Sequence, residues 1–266
     1  MQTEDTGTKV LEQAKEKESV KHFSIGCFYC RTGRYGAAIK AFKKAVSIEP
    51  DYAQAYYGLG ITYASLDSHK EAIQAYKQAV HIKPDYAQAH YALGVTYRKS
   101  CCYHDAINHF NESLRAQPDY ALSHFFSGDT YGHLGRYNEA IESYKRFVRL
   151  KPYLAEGYLS LGTTYDKLCS YENAADAYKH TISINPNNVT AYCNLGAAFE
   201  HLGYYEKAVE VCEQAVQIKP HSAEAHKMLG TCYLKQGNHS SALREYETLK
   251  TLDEDLAGEF LNLVQN

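Results

Sequence analysis

The 266-residue sequence has no tryptophan, only six prolines and no run of 18 consecutive apolar residues. The last absence argues against a membrane-spanning helix. The first residues, "MQTEDTGTKVLEQAKEKESVK", lack the apolar stretch of an export signal, so the expected location is cytoplasmic. No charge of one sign dominates: 28 basic residues face 31 acidic ones, net −3. A chain without a basic excess has no electrostatic reason to seek nucleic acid or an anionic membrane, so neither is expected as a partner.

Catalytic signatures are also missing. There is no glycine-rich phosphate loop followed by Lys and Ser/Thr, no dinucleotide fingerprint, no nucleophile elbow and no zincin motif. The expectation is a protein that is not an enzyme and carries no cofactor. Eight cysteines are present, but a chain of this size needs no disulfide framework, and cytosolic thiols stay reduced. Cys27 and Cys30, three apart, resemble half a zinc site. A closed site needs four ligands, and Cys101 and Cys102 lie too far along the chain to complete it, so no metal is expected.

What the sequence does have is a period. "PDYAQAYYGLGITY", residues 50 to 63, returns 34 positions later as "PDYAQAHYALGVTY", residues 84 to 97. All six prolines, Pro50, Pro84, Pro118, Pro152, Pro186 and Pro220, obey that spacing. With each proline as position 32, the chain divides into seven units: 19–52, 53–86, 87–120, 121–154, 155–188, 189–222 and 223–256. Position 8 is glycine in all seven (Gly26, Gly60, Gly94, Gly128, Gly162, Gly196, Gly230), and position 20 is alanine in all seven.

Apolar residues within a unit recur at steps of three and four in two stretches, which predicts two helices. Tyr56, Leu59, Tyr63 and Leu66 form the first stripe of the second unit; Ala72, Tyr76, Ala79 and Val80 form the second. Gly33, Gly135, Gly203 and Gly237 mark the turn between them. Proline then ends the second helix, because it lacks an N–H and biases the preceding residue away from helix. Mid-helix glycine costs about 0.5–1 kcal/mol relative to alanine, so seven in register need a tertiary reason. The expected reason is close approach of two helix backbones.

These residues resemble the tetratricopeptide repeat, a 34-residue helical hairpin. Aromatic or His at position 4, Leu at 7, Gly at 8, Tyr at 11, Ala at 20, an aromatic at 24 and Pro at 32 carry the likeness over residues 19–256. The resemblance implies an all-α fold, a right-handed α-solenoid of stacked antiparallel hairpins. Residues 1–18 form a charged lead-in, expected to be partly disordered, and 257–266 form a capping helix over the last apolar face. Departures are Ser127 at position 7, Cys212 at position 24, and Phe147 at position 27, where a small residue is usual. The volume lost at Ser127 and gained at Phe147, in the same unit, is expected to offset in part, with Gly157 of the next unit making further room.

In this family, positions 2, 5, 9, 12 and 13 of successive first helices line a concave groove. Carried onto this sequence, the groove would present Phe23, Tyr57, Ile61, Tyr91, Val95, Arg98 and Phe125, followed by the acidic residues Asp129, Asp166 and Glu200. The implied function is a protein-protein interaction scaffold, an adaptor or assembly factor, holding a peptide segment or partner protein that is apolar or aromatic with a basic stretch. The alternative is a structural protein that self-associates into homo-oligomers. Two family activities are disfavoured. The Lys and Asn that grip acidic chaperone tails at positions 5 and 9 do not occur in the first six units, and of an asparagine ladder at position 6 only Asn194 is present.

Overall fold

The computed structural model describes residues 2–265, with side chains described for 12–264. The described residues form fifteen α-helices and no strand. They divide into two units. Unit 1, Met1–Leu134, holds α1 (Gln2–Arg31), α2 (Tyr35–Ile48), α3 (Ala53–Ala64), α4 (His69–Ile82), α5 (Ala87–Lys99), α6 (Tyr103–Ala116) and α7 (Ala121–His133). Unit 2, Gly135–Asn266, holds α8 (Tyr137–Leu150), α9 (Ala155–Lys167), α10 (Tyr171–Ile184), α11 (Val189–His201), α12 (Tyr205–Ile218), α13 (Ala223–Lys235), α14 (His239–Leu252) and α15 (Glu254–Gln265).

Within each unit the helices pair as hairpins and each hairpin packs on the next: α1 on α2, α3 on α4 and α5 on α6 in unit 1, α9 on α10, α11 on α12 and α13 on α14 in unit 2. The prolines lie in the breaks between hairpins. Glu49, Lys83 and Gln117, each preceding a proline, are extended, the conformation that the proline ring imposes on its predecessor. At position 15, inside each hairpin turn, φ is positive: 72° at Gly33, 70° at Gly135, but also 58° at Cys101 and 55° at Cys169.

The alanines of position 20 are all fully buried. The glycines answer to a different neighbour than the sequence suggested. A Cβ on Gly26 would lie 2.6 Å from Phe42 Cε1, one on Gly94 2.5 Å from Phe110 Cε1, and one on Gly162 2.6 Å from Tyr178 Cε1. The space is filled by the position 24 ring of the second helix, not by a second backbone. At these positions a ring pressed against the first helix, rather than a second backbone, requires the glycine. Phe42 is wedged twice over, against Gly26 of α1 and against Gly58 of α3. At Gly196 the sulfur of Cys212 takes the ring's place, 3.7 Å from the sulfur of Cys232, both fully buried. Phe147 finds the room expected of Gly157, where a Cβ would meet its Cδ1 at 2.5 Å.

The position 4 histidines do more than pack. The Nε2–H of His90, His124 and His226 donates to the carbonyls of Pro84, Pro118 and Pro220 at 3.0, 2.9 and 3.0 Å. Each bond ties the hinge loop, past the end of the preceding helix, to the first helix of the next repeat and contributes about 0.5–1.5 kcal/mol.

At the ends, α1 is a single helix through the expected boundary near residue 18; side chains of the lead-in before residue 12 lie outside the described residues. α15 begins at Glu254, three residues earlier than expected, because Asp253 caps it by accepting from the Leu256 N–H at 3.0 Å. Its Phe260 is fully buried against Gly230 beside Leu249 and Ala257.

Candidate functional site

In the first three repeats the rings of position 5 stand in a row. Each is held on one side by the ring of position 24: Phe23 to Phe42 at 5.8 Å between centroids, Tyr57 to Tyr76 at 5.8 Å, Tyr91 to Phe110 at 6.2 Å. On the other side each meets the tyrosine that ends its own repeat: Phe23 with Tyr52 at 5.2 Å, Tyr57 with Tyr86 at 5.1 Å, Tyr91 with Tyr120 at 5.3 Å. These tilted pairs lie within the range of favourable aromatic geometry. The position 5 rings are half-buried, so packing claims part of each and leaves an edge open.

Two cavities open along this row. The first, about 400 Å³, is lined by Phe23, Cys27, Cys30, Arg31, Tyr57 and Ile61, among others. The second, about 210 Å³, is lined by Tyr57, Ile61, His69, Tyr91, Val95 and Lys99, among others. They share Tyr57 and Ile61 and so adjoin along one apolar wall. The structure thus brings together Phe23, Tyr57, Ile61, Tyr91 and Val95 of the expected groove.

The other expected groove residues are engaged elsewhere. Arg98 Nη1 donates to Asp129 Oδ2 at 2.6 Å, and its guanidinium lies 5.0 Å from the Phe126 ring centre; His133 Nε2 stands 3.8 Å from the same Asp129 oxygen. Phe125 sits edge-on to Phe126, and none of Arg98, Phe125 and Asp129 lines either cavity. In unit 2 the Tyr178 hydroxyl donates to Asp166 Oδ2 at 2.5 Å, and Glu200 Oε1 lies 3.7 Å from Lys235 Nζ. Burial raises the Asp166 carboxyl above its ordinary range, against the lowering effect of the Tyr178 bond. All three acids that suggested a basic stretch in the partner already hold an internal donor or cation.

The electrostatics of the aromatic row favour uncharged phenols. Burial, then the neighbouring phenols of Tyr120, Tyr86 and Tyr91, pushes Tyr57 up to about 12; burial and Tyr120 do the same to Tyr91. Burial and the adjacent Cys30 raise the Cys27 thiol, so it is not a thiolate at neutral pH. Among the described residues no three His, Cys, Asp or Glu side chains come together to hold a metal ion.

Sequence reading missed two contributors. Tyr52, Tyr86 and Tyr120 looked like hinge residues; their signal was that position 34 is Tyr only in the first three repeats and Leu154, Asn188 or Ser222 afterwards. Asn188 and Ser222 instead cap their helices, accepting from Ala191 N–H and Ala225 N–H. Phe126, at position 6, had no distinguishing signal.

Comparison with known proteins bears on the repeat itself. Sequence models described as "TPR repeat" match residues 28–67, 62–100, 128–168 and 170–203, and models described as "Tetratricopeptide repeat" match 87–120 and 201–264. No curated protein matches the chain. Among solved structures, one of MamA is 30% identical, covering 62% of this chain and 97% of its own, with a TM-score of 0.59. YrrB, described as a TPR protein with an unusual peptide-binding site, is 19% identical over 71% of this chain and 98% of its own, with a TM-score of 0.62. The C-terminal part of a TPR repeat-containing protein from Cytophaga hutchinsonii is 16% identical over 90% of this chain and 99% of its own, with a TM-score of 0.76.

Proposed function

The chain belongs to the tetratricopeptide repeat family, and from that premise we propose that it is a non-enzymatic interaction scaffold whose unit 1 face holds a segment of a partner protein. The observation that carries this reading is the pair of adjoining cavities at Tyr57 and Ile61, where half-buried rings present open edges. Rigid aromatic anchors beside an apolar hollow are where interface energy concentrates. Engagement of Asp129, Asp166 and Glu200 within the chain shifts the weight of recognition from the acidic residues to the aromatic row.

The test is affinity capture with the purified chain, mapping of the captured segment, and titration of that segment as a synthetic peptide. Replacing Tyr57 and Tyr91 together by Ala should weaken the peptide about 10- to 100-fold, as loss of central aromatic anchors does. Far-UV circular dichroism should remain helical. An unchanged dissociation constant would reject the site.

A further inference from the structure

We infer that the segment held on the unit 1 face is acidic as well as apolar, with a carboxylate next to each of two apolar anchors. This rests on the reading of that face as a binding site and adds the chemistry of its occupant.

No carboxylate lines either cavity, and each cavity has a cation. These cations are Arg31, on the edge of the first cavity, and Lys99, on the edge of the second. Both occupy position 13, in the last turns of α1 and α5, where the partial negative charge of the helix end favours a cation without neutralising it. Both are exposed, and among the described residues neither has a carboxylate partner. The one carboxylate on the groove-facing positions of the first four repeats, Asp129, is taken by Arg98.

Hydroxyls add to the imbalance. Tyr57 is close enough to Tyr86, Tyr91 and Tyr120 for their phenols to perturb it, and burial keeps all four protonated. A protonated phenol can donate as well as accept, so a carboxylate held by the cations finds further donors beside it. Carboxylates satisfy both the cations and the phenols, whereas a Lys or Arg in the same place would meet a like charge. Arg31 on α1 and Lys99 on α5 stand on the outer flanks of the two adjoining cavities, with α3 between them, so each cavity has its own cation. With helix spacing of about 10 Å and about 3.3 Å per extended residue, the two apolar anchors fall about three residues apart and the two carboxylates about six. The arrangement differs from one built on Lys and Asn at positions 5 and 9, since here those positions form the apolar wall. A single-stranded nucleic acid also offers acceptors and stacking bases, but two cations on a chain of net charge −3 are too few to track a phosphate backbone.

The experiment is selection of a random dodecapeptide phage library on the immobilised full chain. Selected peptides are then synthesised and titrated against the wild type, Arg31→Gln/Lys99→Gln, Arg31→Glu/Lys99→Glu and Tyr57→Ala/Tyr91→Ala, each checked for helicity. Enriched sequences should pair aromatic or aliphatic residues with Asp or Glu. The Gln variant should bind them about five- to tenfold more weakly, and the Glu variant should select peptides of opposite charge. Selected peptides without acidic excess, or acidic peptides indifferent to both charge variants, would overturn the inference while leaving the face a binding site. Peptides indifferent to loss of the two tyrosines, or no enrichment at all, would overturn the site itself. A 12-nucleotide oligothymidylate binding more tightly than the best peptide would overturn the choice of a peptide.

Discussion

Two individual residues carry costs that the rest of the molecule absorbs. Cys101 is held at φ 58°, a conformation that strains a residue with a Cβ, at the position where four other repeats place glycine. Cys101→Gly should raise stability by about 0.5–1 kcal/mol, read as a higher denaturation midpoint. His109 is a half-buried imidazole stacked on Tyr97, with centroids 5.5 Å apart, its Nδ1 3.2 Å from His90 Nδ1. Because His90 gives its Nε2–H to Pro84, its Nδ1 accepts and His109 donates. Burial first, then His90 and Lys77, lowers His109 to about 4 from 6.5, with Asp105 and Glu112 opposing. The folded imidazole thus resists a proton that the unfolded one takes up. Its contribution to stability is complete above pH 6.5 and is lost as pH falls from there through 4. In His109→Gln the midpoint should fall less over that interval than in the wild type; equal slopes in thermal melts would contradict it.

At the scale of the helix pair, the contact at the centre of four hairpins, at Gly26, Gly60, Gly94 and Gly162, is a ring on a glycine. This contact predicts opposite outcomes for the same substitution at two places. Gly162→Ala puts a methyl into the Tyr178 ring, and overpacking of about 1–3 kcal/mol outweighs a gain of about 1 kcal/mol in helix propensity. Gly258→Ala in α15 meets nothing within 4 Å and should only gain. Urea titrations of both variants check the pair, and a stabilising Gly162→Ala would refute the ring-on-glycine account. The hairpins, their turns and the proline hinges were legible in the sequence, since each depends on residues close along the chain. The identity of the glycine's neighbour was not, because Gly162 and Tyr178 meet only after the hairpin closes.

For the whole molecule, repeat packing makes stability a sum of neighbour terms, and terminal faces must be covered. α15 does this at one end of unit 2 through Phe260 and Ala257. Removing residues 254–266 exposes Leu249 and Gly230 and should cost about 3–5 kcal/mol, the scale of losing a buried phenylalanine. A lower melting temperature with increased binding of a hydrophobic dye would show it. Among the described residues no helix is long and apolar enough to cross a membrane. The candidate face was partly legible at this scale. Phe23, Tyr57 and Tyr91 followed from repeat position, but the disposal of Asp129, Asp166 and Glu200 did not.

The sequence alone determined the repeat, the all-helical hairpin and its punctuation, because a 34-residue period, a proline's missing donor and a glycine's freedom act locally and survive in any context. Only the tertiary structure decided which charges and rings remain for a partner. Arg98 reaches Asp129, 31 residues away, and Tyr178 reaches Asp166 on the facing helix. Such pairings depend on distances across helices, which no one-dimensional pattern carries.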